Sequence, residues 1–371
     1  MTDAEATGHA TTLTVVIAAD SFKGTAAATE VAEALAAGWQ LVRPADDLRL
    51  IPMADGGEGT LAAFEMAVPG SLRIPVTVSG PDGNPVATHW LLLPDGTGVI
   101  ELASTSGLTL LSRLAPLDAQ TIGFGEAIAA ALDHGVSRLL LAIGGSASTD
   151  GGVGALTALG GVFLNAQGAP IAPGGRGLDA LASVDLSGQR QLPEGGAIVL
   201  SDVTNPLLGE AGAAGVFGPQ KGANDADIAR LDHALGVFAR MVPTDPQLPG
   251  AGAAGGTGFG MLLWGASLAP GSSAVGEALG LSAAVASASV VITGEGRFDA
   301  QSADGKVASY VLGLASAAGV RAMLVAGAIE ASSDAFYAAE SLTDLAGSSH
   351  AAMKQPLRWL TIAGEKLASA L

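Results

Sequence analysis

Short apolar runs with little polar alternation recur along the chain, and most end in glycine beside an acidic or hydroxyl residue. Leu13–Ala19 leads into Asp20-Ser21-Phe22-Lys23-Gly24-Thr25, and Leu48–Met53 into Asp55-Gly56-Gly57-Glu58-Gly59-Thr60. Arg138–Ile143 precedes Gly144-Gly145-Ser146, Ala197–Leu200 precedes Ser201-Asp202, and Ala288–Thr293 precedes Gly294-Glu295-Gly296-Arg297-Phe298-Asp299. Arg321–Ala326 has the same character but ends in Gly327-Ala328-Ile329. Such runs predict strands covered on both faces, as in parallel α/β sheets.

Helical spacing fills the intervals. Ala27, Val31, Leu35 and Trp39 form one stripe behind a predicted cap at Thr25; Phe124, Ile128 and Leu132 form another between Thr121 and Gly135. From Asn224 to Val242, apolar residues recur at three and four, with Asp225 and Asp227 in the first turn and Arg240 in the last. A last helix is predicted from Pro356 or Leu357 to the end.

Between Leu72 and Gly107 the period changes. Val76, Val78, Val86, Trp90, Leu92 and Val99 are divided by Pro81-Asp82-Gly83-Asn84 and Pro94-Asp95-Gly96, which predicts antiparallel hairpins. A second turn-rich stretch, Val162–Leu192, centres on Gly174–Gly177. The expected fold is α/β with two domains. One is a discontinuous, doubly wound, mostly parallel sheet of the flavodoxin or Rossmann kind, over 13–70, 120–160 and 285–371. The other is an inserted α/β domain with antiparallel strands, over 71–119 and 161–284. Residues 1–12 are expected to be a disordered extension.

Composition narrows the chemistry. Of 371 residues, 53 are glycine with no collagen period, so the excess belongs in tight loops. The formal charge of −18 opposes binding to nucleic acid or to an anionic membrane surface. Absence of cysteine excludes disulfides, thiolate catalysis and cysteine-held zinc. The first residues carry Asp3 and Glu5 without a basic segment, and the long uncharged run from Pro246 is broken by Pro249, Pro270 and glycines. A cytoplasmic protein is expected, with a homodimer the one assembly left open.

Ligands of open α/β sheets bind beyond the carboxyl ends of the strands, where these polar loops fall. Of five lysines, Lys23, Lys221 and Lys306 adjoin glycine in polar loops, and with Arg297 they are the natural cations for an anionic substrate. Asp20, Asp55, Asp202, Glu295 and Asp299 follow apolar strands and suit a base or Mg2+, while Glu58 and Asp150 have an equal claim to capping the next helix. Acids beside glycine with isolated cations suit phosphoryl transfer. Gly250–Gly255 fits G-x-G-x-x-G but follows no strand, the segment at Lys306 lacks a P-loop's first glycine and hydroxyl, and no nucleophile elbow is present. Gly255, Gly256, Thr257 and Gly258 are left with either a phosphate-binding or a helix-entry role.

The same loops resemble the type-1 glycerate kinase family, the ATP-dependent glycerate 2-kinases. The resemblance is carried by Ala19–Gly24, Pro52–Thr60, Ile143–Ala147, Asn205–Gly209, Val216–Ala223, Gly250–Gly260 and Thr293–Arg297, within Leu13–Ala328. The chain departs from the family pattern at Ala19, Thr149, Thr204, Phe298 and Ala308. The resemblance implies transfer of the ATP γ-phosphoryl to D-glycerate with Mg2+, giving 2-phosphoglycerate in a cleft between two α/β domains. Laid on it, Asp20 or Asp202 would be the base, with Lys23, Lys221 and Lys306 on phosphates and Arg297 on a carboxylate or phosphate. Asp55, Glu295 or Asp299 would hold Mg2+. Ser21, Gly56, Gly57, Glu58, Gly144, Gly145, Ser146, Asn205, Gly255 and Gly256 would line the substrates. Rival readings are a kinase for another small hydroxy acid or for the 3-hydroxyl, a non-catalytic sugar-acid-binding protein, and, more weakly, a metal-dependent phosphatase.

Overall fold

The computed structural model describes residues 12–299 and 307–371. In chain order the strands are β1 (Thr14–Ile17), β2 (Asp47–Leu50), β3 (Leu72–Ser79), β4 (Pro85–Leu92), β5 (Thr97–Glu101), β6 (Arg138–Ala142) and β7 (Val162–Asn165). Then come β8 (Leu181–Asp185), β9 (Ala197–Leu200), β10 (Ser267–Ala269), β11 (Val290–Phe298), β12 (Arg321–Ile329) and β13 (Ala338–Ser341). They divide between two compact units, one made of the described residues of Met1–Met53 and Gly280–Leu371, the other of Ala54–Leu279. Residues 54–70 and 120–160, read from the sequence with the doubly wound sheet, lie in the second unit. An apolar run such as β6 carries the same signature in either parallel sheet, so the pattern alone does not say which sheet takes it.

The first unit holds a five-stranded sheet in the order β13-β12-β11-β1-β2, with every pair parallel. The chain steps from β1 to β2 in one direction and from β11 through β12 to β13 in the other. Right-handed crossovers then place the connecting helices on opposite faces, and the order reverses between β1 and β11. On one face, helix Ala28–Val42 packs on the terminal helix Pro356–Ser369 at glycine contacts. A Cβ on Gly38 would lie 1.9 Å from the Thr361 carbonyl oxygen, and one on Gly364 would lie 2.3 Å from that of Leu35. Val31, Leu35 and Trp39 meet Leu360, Ala363 and Leu367 there over Val15, Ile17 and Ile292. The first helix is not capped by Thr25, whose hydroxyl turns back to the Phe22 carbonyl at 2.7 Å; Glu30 instead accepts the Ala27 amide at 2.8 Å. β2 is the edge strand and only half covered, while the buried part of its apolar run, Ile51–Met53, lies just past it.

The second unit holds a six-stranded sheet in the order β10-β9-β6-β5-β4-β3. Its β10, β9, β6 and β5 are parallel, and β4 and β3 continue it as the antiparallel hairpins read from the Pro-Asp-Gly turns. A separate antiparallel pair, β7 with β8, comes from the turn-rich segment. Its core gathers Trp90, Ile100, Phe124, Ile128, Leu139, Leu141, Phe163, Leu235, Phe238 and Phe259. The best-capped helix is Asp225–Ala239, whose Asn224 Oδ1 accepts the Asp227 amide at 3.0 Å. Among the described residues no helix is long and apolar enough to cross a membrane.

Candidate active site

In the first unit the reversal point between β1 and β11 carries one cluster of the predicted residues. The backbone crosses from one strand end to the other: the Asp20 amide donates to the Gly294 carbonyl at 2.8 Å, and the Thr293 hydroxyl donates to Ala18 at 2.9 Å. Asp20 Oδ1 accepts the amide of the next residue, Ser21, at 2.6 Å. Residues Phe22 and Lys23 run against Gly296, where a Cβ would meet their backbone at 3.5 Å. One rim therefore bears Asp20, Ser21, Lys23, Glu295 and Arg297. Glu295 is buried, Asp20 half-buried, and Lys23 exposed. The Arg297 guanidinium is 64% exposed and lies 3.6 Å from the Glu330 carboxylate, a long surface pair. Asp299 is the last described residue after β11; Lys306 lies outside the described residues.

In the second unit the carboxyl ends of β6 and β9 carry a second cluster. Gly56 sits at φ 85° with its α-carbon pressed to β9, so that a Cβ would lie 2.4 Å from the Leu200 carbonyl oxygen. Its own carbonyl accepts the Gly144 amide at 2.9 Å, which docks the Asp55–Gly59 turn on the Gly144–Ser146 turn. Asp55 Oδ1 accepts the Gly57 amide at 3.1 Å. Asp202, exposed just past β9, accepts the Gly271 amide at 2.7 Å, at the start of helix Gly271–Ala278. Asn205 braces its own loop by donating to the Ala211 carbonyl at 2.8 Å.

Three predicted residues are placed as supports. Lys221 is 1% exposed; its ammonium donates to Ser146 Oγ at 2.9 Å and to the Ser148 carbonyl. Burial pulls its pKa down to about 7, against the opposing pull of Asp150. Gly255 and Gly256 are buried at the left-handed entrance of helix Ala253–Trp264, and a Cβ on Gly255 would lie 2.0 Å from the Ser148 carbonyl oxygen. Of the two roles open for this segment, helix entry and close backbone packing are the ones seen here. Asp150 does cap its helix, accepting the Gly152 and Gly154 amides as well as both Thr121 donors. Glu58 does not: it is exposed, and Glu101 accepts the Gly59 and Leu61 amides instead, each at 3.1 Å.

A family profile described as "Glycerate kinase family" matches residues 15–371. The chain belongs to the glycerate kinase family. Among its relatives, the glycerate kinase of Bacillus subtilis (strain 168) is 44% identical over 333 residues, 87% of each protein. The glycerate 2-kinase of Escherichia coli (strain K12) is 42% identical over 303 residues, 79% of each. The crystal structure of a candidate glycerate kinase 2 from Salmonella typhimurium LT2 superposes with a TM-score of 0.83 at 39% identity, over 97% of this chain and 98% of that one. Phe298, a departure from the usual glycerate kinase pattern, packs edge-on against Phe336 at 5.7 Å, so the larger ring has a partner of its own. Glu101, which holds the Gly59 and Leu61 amides, is a residue that reading the sequence missed. Its only local signal is an acid closing an apolar strand.

Proposed function

We propose that the protein transfers the γ-phosphoryl group of ATP to the 2-hydroxyl of D-glycerate, releasing 2-phosphoglycerate and ADP, with Mg2+ assistance. The observation that carries the reading is the reversal point between β1 and β11, where a carboxylate, a lysine and an arginine share one rim. Phosphoryl transfer asks mainly for positioning and charge neutralisation, and that rim supplies both. The related glycerate kinases point to the same reaction.

In this reading Lys23, Arg297 and Lys306 face the phosphates and the glycerate carboxylate; the planar guanidinium of Arg297 suits either anion. The amides of Gly144 and Gly145 and the turn from Gly56 to Glu58 line the substrates from the second unit. Lys221 works one layer beneath, shaping the turn that bears Ser146. Asp20 or Asp202 takes the hydroxyl proton, and the substitution pair described below tells them apart.

Mg2+ would be held by carboxylate oxygens of Asp55, Glu295 or Asp299. These are hard donors, and Glu295, 8% exposed within β11, is an acid whose burial a cation would favour. Among the described residues no three acidic or histidine side chains gather into a metal cluster. Mg2+ characteristically binds through one or two carboxylates and completes its shell with phosphate oxygens and water, where it neutralises phosphate charge. The test is ADP release across a panel of small hydroxy acids, with Mg2+ and with a chelator. Release that needs both D-glycerate and Mg2+ is expected; equal release with every acid, or with the chelator present, would contradict the reading.

A further inference from the structure

We infer that Glu101 is a positioning residue for this reaction: its buried carboxylate, at the end of β5, fixes the Asp55–Gly59 turn by accepting the first amides of helix Thr60–Ala67. The inference rests on the kinase reading above. A helix leaves its first N–H groups without intrahelical partners, and a side chain just before it normally accepts one. Here the position before the helix is Gly59, at φ 93°, which has no side chain, and Glu58 is exposed. Glu101 reaches in from 42 and 40 residues away to accept the Gly59 and Leu61 amides at 3.1 Å each, and the Thr60 amide also bears on it.

The turn it anchors carries Asp55, Gly56, Gly57 and Glu58, all assigned above to substrate or metal. Glu101 also pairs in register with Ala142, two residues before Gly144, and the Leu102 amide donates to the Ala142 carbonyl at 2.8 Å. One side chain therefore ties the Asp55–Gly59 turn to the strand pair that supports the Gly144–Ser146 turn. A carboxylate 6% exposed is costly unless hydrogen-bonded, and the positive end of a helix compensates it.

The ionised form is the one that can accept several amides at once. Burial pushes the Glu101 pKa up to about 7, the Leu61 amide opposes this, and the neighbouring charge of Glu58 adds to it. Other charges on the packed elements are engaged away from it. Glu65 pairs with Arg73 beside His89, Glu126 accepts from Ser79, Asp133 pairs with Arg190, and Arg138 faces Asp95. His134 lies edge-on to Trp90.

The test compares wild type with Glu101→Gln, which keeps size and loses charge, in two measurements between about pH 6 and 9. In steady-state kinetics, kcat of the variant is expected to fall about 10²-fold with melting temperature nearly retained. Wild-type kcat should fall as pH drops below about 7, a limb missing from the variant. In amide exchange of ligand-free wild type, corrected for intrinsic rates, Gly59 and Leu61 should lose protection over the same range. A variant with wild-type kcat in an active enzyme, or wild-type protection flat with pH, would overturn the role. If the variant fails to fold, the wild-type exchange decides. A wild type unable to transfer phosphoryl to any hydroxy acid would instead overturn the kinase reading and this role together, so the two failures are distinct.

Discussion

The Lys221 ammonium and the Ser146 hydroxyl are hydrogen-bonded at 2.9 Å inside the second unit, where the lysine is 1% exposed. A lysine beside a glycine in a polar loop would ordinarily be solvated. Here it is a strut under the turn expected to present amides to a substrate. Its pKa of about 7 lies below the ordinary lysine value of 10.5 because burial disfavours the charge. The unfolded chain therefore binds more protons than the folded one between these values, and stability rises with pH across that window.

Lys221→Met should remove that rise. The stability of wild type minus that of the variant should grow with pH between 7 and 10.5, with a slope of at most about 1.4 kcal/mol per pH unit. Urea unfolding of both proteins at several pH values measures it. Parallel curves would mean that the ammonium is not desolvated. The variant should also lose kcat, because Ser146 and Ser148 lose their donor.

Asp20→Asn and Asp202→Asn separate the two candidate bases. The base should cost about 10²-fold or more in kcat, and the other acid should cost less. Asparagine retains an oxygen for the Gly271 amide at position 202 and for the Ser21 amide at position 20. Folding is expected to survive, and melting temperatures check that it does. Near-normal turnover of both variants would remove both from the role.

Arg297→Ala should separate function from stability. The side chain is 64% exposed, so unfolding free energy should change by no more than about 1 kcal/mol. If the guanidinium clamps an anion, kcat/KM should fall at least about 10-fold, as expected for a lost charge-assisted contact of 1.5 kcal/mol or more. Unchanged kinetics would mean a solvating side chain.

Gly38→Ala tests the packing of the first unit. The added methyl would lie 1.9 Å from the Thr361 carbonyl, which backbone cannot relieve without moving a helix. Overpacking of this kind costs about 1–3 kcal/mol, read as a lower denaturation midpoint. An unchanged midpoint would mean that the helix pair adjusts freely.

Much of this architecture was legible in order along the chain because local physics decides it. β1, β6, β9, β11 and β12 were visible as apolar runs because strands covered on both faces do not alternate, and the β3–β4 hairpin because its turn needs Pro-Asp-Gly chemistry. Asn224 announced its helix by composition. The long-range supports left no such mark. Glu101 caps a helix 40 residues away, and Lys221 is buried by packing that no window around it encodes. Gly255 matches a phosphate-loop pattern, yet its missing side chain makes room for the Ser148 carbonyl. Glycine at a ligand and glycine at a backbone crossing look alike until the partner strand is known.

Phosphorus NMR of the product formed from D-glycerate, ATP and Mg2+ tests the central claim most directly. Phosphate on the secondary 2-carbon couples to one proton, whereas phosphate on the primary 3-carbon couples to two. The account predicts a new phosphomonoester doublet growing in step with ADP. A triplet, or ADP formed with no new phosphomonoester, would contradict it.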